Sequence, residues 1–117
     1  MRLNLSWPPS INHYFERNRN GSIRIGKYGL AFREEVILKC RQERIKRLTG
    51  RLGVFIVAFP PDKRRRDLDN ILKATLDALQ HGGVYKDDSQ IDALTVHRGP
   101  VTPKGALIVT VDDLLRL

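Results

Sequence analysis

The 117-residue sequence has one cysteine, one methionine, one tryptophan and no long apolar run. With Cys40 alone, no disulfide framework forms within the chain, which fits a reducing cytoplasm. Cys40 lies among apolar residues at helical spacing and reads as a small core residue. No stretch reaches the length that a membrane-spanning helix needs, and the opening MRLNLSWPPS lacks the apolar core of a secretory leader. A glycine-rich loop followed by Lys-Ser/Thr is missing, so no nucleotide cofactor is indicated. His13, His81 and His97 are scattered, and with one cysteine they leave zinc without a ligand set. There is no internal repeat and no low-complexity segment. The length suits a single domain over 1–117 with one core.

The first half is also short of acids. Residues 1–66 hold sixteen Lys/Arg against five Asp/Glu; residues 67–117 hold five against eight, and all eight are aspartate. The formal net charge is +8 and the pI about 10.2. Such a balance points to a polyanionic partner, most often nucleic acid. Its uneven spread suggests that one part grips the polyanion and another does something different.

RLNLSW alternates and predicts a half-buried strand, ended by Pro8 and Pro9. SINHYFERNRNGS reads as a loop of short irregular pieces, with SIRIG as a short strand. Residues 28–48 predict a helix with Phe32, Val36 and Cys40 in one row; Lys39, Arg41, Lys46 and Arg47 take its solvated side. LGVFIVAF, 52–59, predicts a central strand buried on both faces, ended by Pro60 and Pro61. A second helix begins near Asp69. Leu68, Leu72, Leu76 and Leu79, widened by Ile71 and Thr75, form its apolar row; Asn70, Lys73, Asp77 and Gln80 face away. Gly82 and Gly83 end it. IDALTVHR and ALIVTV read as two strands joined through GPVTPKG as a hairpin. The order β, β, α, β, α, β, β implies an α+β domain with a mixed sheet of four or five strands and two main helices.

The densest chemistry is DKRRRDLDNILK, 62–73. Lys63, Arg64, Arg65 and Arg66 run straight into Asp67 and Asp69. Mutual neutralisation is one reading, and helix capping by a carboxylate is another. The third is a divalent-metal site beside a phosphate grip. Mg²⁺ takes oxygen ligands, commonly one or two carboxylates together with waters and phosphate oxygens. Residues at i and i+2 can both reach one ion only if Asp67 lies before the helix proper. Lys73 stands one turn after Asp69, either as an i, i+4 ion-pair partner or beside a scissile phosphate. Asn70 can donate to a phosphate. Asp87 and Asp88 follow the helix. Asp88 can return to the metal along its own chain or complete a site in a second subunit, and the residues leave both routes open.

RRRDLDNILKATLDAL…GGVYKDDSQI, with WPPSINHYF near the start, resembles the RusA family of Holliday junction resolvases, small homodimeric endonucleases of bacteria and their phages. The likeness covers nearly the whole chain. It implies Mg²⁺-dependent (or Mn²⁺-dependent) nicking of four-way DNA junctions, leaving 5′-phosphate and 3′-hydroxyl ends. By the same resemblance, Asp67, Asp69 and Asp88 are the metal-binding catalytic aspartates and Lys73 the essential basic residue. Arg66 and its neighbours Lys63, Arg64 and Arg65 would contact DNA, with Asn70 and Lys73. The part of Asp87 is left open. Paired cutting of a junction favours a C₂ dimer, for which Tyr14, Phe15 and the C-terminal LLRL offer apolar material. The rival class is a non-catalytic basic nucleic-acid-binding protein whose aspartates only buffer its arginines. A phosphotransferase using an aspartyl nucleophile ranks below both, because PPDKRRR separates Asp67 from the strand end.

Overall fold

The computed structural model describes residues 1–114. Its frame is a four-stranded sheet in the order β1-β6-β4-β5: β1 Arg2–Leu5, β4 Leu52–Phe59, β5 Ile91–Arg98 and β6 Ala106–Asp113. The β-branched and aromatic run of β4 takes the centre, as expected. Its side chains alternate, however: Leu52, Val54, Ile56 and Ala58 are buried, whereas Phe55 is 43% exposed. Burial on both faces is therefore a misreading; helices cover one face only, and on the other Phe55 packs against His97 at 5.2 Å.

β4 and β5 are parallel, so a crossover must join them. It consists of the loop 60–67, a 3₁₀ turn Leu68–Ile71, helix α3 Leu72–His81 and a 3₁₀ turn Asp88–Gln90. β6 pairs antiparallel with the opposite edge of β4. The expected β5–β6 hairpin does not form, because β4 lies between the two strands. Two strand spacings of about 4.8 Å are well within reach of the seven-residue connection. That connection crosses the end of β4, with Gly99 N–H donating to the Ala58 carbonyl at 2.8 Å and Thr102 N–H to that of Pro60 at 2.9 Å. A Cβ on Gly99 would lie 2.5 Å from the Phe59 ring, so the crossing needs glycine there.

Helix α2, Lys27–Gln42, buries Phe32, Val36 and Cys40 as its row predicts, but ends before residue 48. Arg44 turns left-handed at φ 52, and Ile45 N–H reaches back to the Cys40 carbonyl at 3.0 Å. Ile45 and Leu48 thereby fold onto the core, a gain that continued helix would have forfeited. α3 ends where predicted, at Gly83 with φ 85. Its buried stripe is Ile71, Ala74, Thr75, Ala78 and Leu79; Thr75 Oγ1 satisfies itself on the Ile71 carbonyl at 2.7 Å. Leu68, Leu72 and Leu76 are only partly buried, so the leucine row lies on the flank of the helix rather than under it.

The stretch read as a loop holds helix α1 Ile11–Tyr14 and strand β2 Phe15–Arg17, which pairs with β3 Ile23–Ile25. Tyr14 is 1% exposed and belongs to the core rather than to a free surface; Phe15 is 37% exposed. Of the LLRL segment, residues 115–117 lie outside the described residues.

Candidate active site

The loop leaving β4 folds around one carboxylate. Asp62 Oδ1 accepts the Arg64 N–H at 2.9 Å and Arg66 Nη1 at 2.7 Å, while Oδ2 accepts Arg64 Nε at 3.2 Å. The Arg66 and then the Arg64 hydrogen bonds hold this carboxyl well below the usual range. Arg66 is further fixed over the Trp7 ring, 5.9 Å from its centroid, and its backbone carbonyl accepts Arg98 Nη2 at 2.6 Å. The sequence thus contains its own neutralisation, but Asp62 performs it. Lys63 and Arg65 are exposed and carry no ion pair or side-chain hydrogen bond among the described residues. A cavity of about 370 Å³ opens here, lined by Trp7, Lys63, Arg64, Arg66, Asp67 and Arg98 among others.

Asp67 has extended backbone (φ −89, ψ 139) immediately before the 3₁₀ turn, which is where i, i+2 ligation requires it. It occupies the cap position, yet its side chain caps nothing. Asp69 is exposed in the first turn. Neither carboxylate has an ion pair or hydrogen bond among the described residues. Both bland readings, charge buffering and capping, are therefore unrealised at these two positions. Asp67 lines the cation-rich cavity and Asp69 follows it two residues on; two free carboxylates fit the oxygen-donor demands of Mg²⁺ or Mn²⁺. Asn70, half-buried, donates its backbone N–H to the Asp67 carbonyl at 3.2 Å.

Lys73 does not pair back to Asp69. Its Nζ leans forward, 3.3 Å from Asp77 Oδ2. Asp88 lies at the other end of α3, its N–H donating to Gln80 Oε1 at 3.1 Å, beside a hollow formed with Leu76, Ile91, Asp92 and Leu94. From Asp69 to Gln80 the axis advances roughly 16 Å at ~1.5 Å per residue. Consistent with that span, no three Asp, Glu, His or Cys side chains among the described residues could hold one ion. Asp87 has a local job: its side chain accepts the Ser89 N–H at 2.8 Å and Gln90 Oε1 accepts the Asp87 N–H at 3.1 Å, a reciprocal cap. The Ser89 hydrogen bonds hold the Asp87 carboxyl below its ordinary value.

Sequence reasoning missed Asp62, Arg98 and the wall provided by Trp7. Asp62 was detectable, four residues before Arg66. Arg98 and Trp7 reach the loop only through the tertiary fold and leave no local signal.

Residues 6–111 match the family described as Endodeoxyribonuclease RusA. The chain is 41% identical over 111 residues to the crossover junction endodeoxyribonuclease of Enterobacteria phage HK97, covering 94% of this chain and 92% of that protein. It is 40% identical over 114 residues to the enzyme of the same name from Enterobacteria phage 82, covering 96% and 93%. Identity to the Escherichia coli K12 enzyme of that name is 39% over 114 residues, with the same coverage.

Proposed function

The chain belongs to the RusA family of endodeoxyribonucleases, and from that premise we propose how its residues resolve a Holliday junction. It is a crossover junction endodeoxyribonuclease, a hydrolase of DNA phosphodiester bonds in recombination and repair. The observation that carries the assignment of the site is the pair Asp67 and Asp69, two carboxylates with no structural task, the first of them in the wall of a cation-lined cavity.

Asp67 and Asp69 would hold the divalent ion. Mg²⁺, or Mn²⁺ in its place, supplies Lewis acidity toward the phosphate and an activated water. The Lys73 ammonium shares the charge that develops on the phosphate oxygens, and Asn70 donates to the backbone. Lys63 and Arg65 bind phosphates by charge; Arg66, locked on Asp62 and Trp7, holds the loop that presents them. Hydrolysis leaves a 5′-phosphate and a 3′-hydroxyl. The enzyme works in the cytoplasm of a bacterium or phage-infected cell; no helix among the described residues is long and apolar enough to cross a membrane.

Asp88 joins the site from a second subunit. Within one chain α3 separates it from Asp67. β5 is an edge strand, bonded only to β4. If two copies pair β5 antiparallel across a two-fold axis, the start of one strand lies beside the end of the other. Asp88, three residues before β5, then approaches the partner subunit's Arg98, which ties down the loop carrying the partner's Asp67. Leu76 and Leu94, the latter 41% exposed, line one hollow with Asp88 and would be covered by the pairing. A C₂ dimer supplies two sites for two opposed strands.

The test is cleavage of a synthetic four-way junction and a linear duplex, each with Mg²⁺ or EDTA. Paired nicks confined to the junction with Mg²⁺ are expected. Junction binding indifferent to EDTA, with every strand intact, would instead indicate the non-catalytic binding protein.

A further inference from the structure

Asp77 belongs by sequence to the solvent face of α3, yet it is drawn inward. Its Oδ2 accepts the Tyr14 O–H at 2.7 Å. Tyr14 is 1% exposed, and its phenol oxygen in turn accepts Arg33 Nη2 at 3.3 Å. Burial, followed by the Asp77 hydrogen bond, raises the Tyr14 phenol above its ordinary value, so the hydroxyl stays protonated and donates. That Nη2 hydrogen bond keeps the Arg33 guanidinium beside the pair, while its Nε is buried without a partner. In front, Lys73 Nζ stands 3.3 Å from Oδ2 and 3.5 Å from Oδ1. α1, α2 and α3 thus converge on one carboxylate that is 19% exposed, and its open side meets the lysine.

Cross-linking helices does not require a charge: an amide oxygen would also accept the tyrosine hydroxyl, though more weakly than a carboxylate does. What the carboxylate adds is a hold on the ammonium. Lys73 is 45% exposed on a stem of four rotatable bonds, and Asp77 is its sole ion-pair partner among the described residues. A solvent-exposed lysine pair is ordinarily loose; here one member is immobilised from behind, so the other has a fixed point to return to.

We propose that Asp77, anchored by Tyr14, is the positioning residue that sets where the Lys73 ammonium stands during cleavage, an inference that rests on the part given to Lys73 above. Asp77 touches neither DNA nor the ion. It acts through Lys73, and Tyr14 acts through Asp77. Misplacing a reacting-site group by an ångström costs up to about a hundredfold in rate, and a partial loss of order is a fraction of that.

The experiment is single-turnover cleavage of a saturating four-way junction by Asp77→Asn, Asp77→Glu, Tyr14→Phe and Lys73→Met, with metal-free junction binding and melting temperature measured on each. Asp77→Asn keeps an oxygen for Tyr14 and removes the charge that holds Lys73. Its cleavage rate should fall about tenfold and that of Tyr14→Phe about threefold. Binding should stay within about twofold, and Asp77→Glu should recover part of the rate. Unchanged or faster cutting by Asp77→Asn beside an inactive Lys73→Met overturns the positioning role while leaving Lys73 in place. Normal cutting by Lys73→Met removes the premise itself, and the inference with it. Rate losses that track lost melting temperature and weakened binding across the Asp77 and Tyr14 variants make the cluster purely structural and overturn the proposal.

Discussion

The two ends of α3 carry the same motif with opposite outcomes. At each end an aspartate with extended backbone precedes a 3₁₀ turn: Asp67 before Leu68–Ile71, Asp87 before Asp88–Gln90. Asp87 caps its turn in a reciprocal pair with Gln90, whereas Asp67 caps nothing. Position alone therefore does not make a carboxylate structural; the partner three residues on does. Gln90 closes the distal turn, while the proximal turn has Asn70 there, and its side chain makes no such return. The proximal end also has Asp62, which takes up Arg64 and Arg66, while Asp67 and Asp69 pair with no cation among the described residues. A carboxylate relieved of both tasks is available to a divalent cation.

The comparison breaks most sharply under substitution of the two kinds of aspartate. Asp67→Asn and Asp69→Asn should each abolish most junction cleavage, because each removes a carboxylate oxygen donor from the ion. Binding and melting temperature should hold, since no protein contact is lost. Asp87→Ala should do the reverse: a melting temperature lower by roughly 5 °C, with much of the cleavage rate kept. Cleavage at the wild-type rate by Asp69→Asn, or an inactive but fully stable Asp87→Ala, would erase the distinction.

Smaller effects divide the basic loop in the same way. Neutralising both Lys63 and Arg65, the cations without partners, should weaken junction binding and flatten its salt dependence by about 0.9 log–log unit per lost phosphate contact. Arg66→Ala should instead cost melting temperature, because it unfastens Asp62 and Trp7. An unchanged salt slope for the Lys63/Arg65 double variant would show that these side chains meet no phosphate.

The mildest effect is that of pH on Asp62. Its carboxyl is held well below the usual range by Arg66 and Arg64. The stability it gives is fully present above the unfolded value of about 3.9 and is lost as pH falls through the folded one. The gap in melting temperature between wild type and Asp62→Asn should therefore be open at neutral pH and close on acidification. A gap independent of pH would mean that the charge of Asp62 does not stabilise the loop.

Where local rules govern, the sequence was legible. The rows Phe32/Val36/Cys40, the apolar run 52–59 and the Gly82–Gly83 stop all lie where periodicity and capping chemistry put them. Strand pairing was not legible: nothing in GPVTPKG distinguishes a hairpin from a crossing, and the parallel claim of β5 on β4 decides it. The leucine row of α3 misled for a related reason. Leu68, Leu72 and Leu76 are the more apolar stripe, yet the helix buries its smaller residues Ala74 and Ala78 and leaves these leucines only partly buried. At the site, Asp67, Asp69 and Lys73 were visible as a motif. The tasks of Asp62, Arg98 and Asp77 were not, since each depends on which side chain arrives from elsewhere in the chain or which of two neighbours a loop selects.

In the proposed dimer, the free carboxylates at one end of α3 meet Asp88 from the far end of the partner's α3. The most direct measurement mixes two inactive variants, Asp69→Asn and Asp88→Asn, unfolds and refolds them together, and assays nicking of a four-way junction. If Asp88 acts across the two-fold, the mixed dimer contains one site with both lesions and one site with neither. The mixture should then nick one strand, with about a quarter of the wild-type number of intact sites if the chains pair at random, and seldom complete resolution. A mixture as inactive as its two components, with mixed dimers shown to be present, would place Asp88 in its own chain's site and contradict the account.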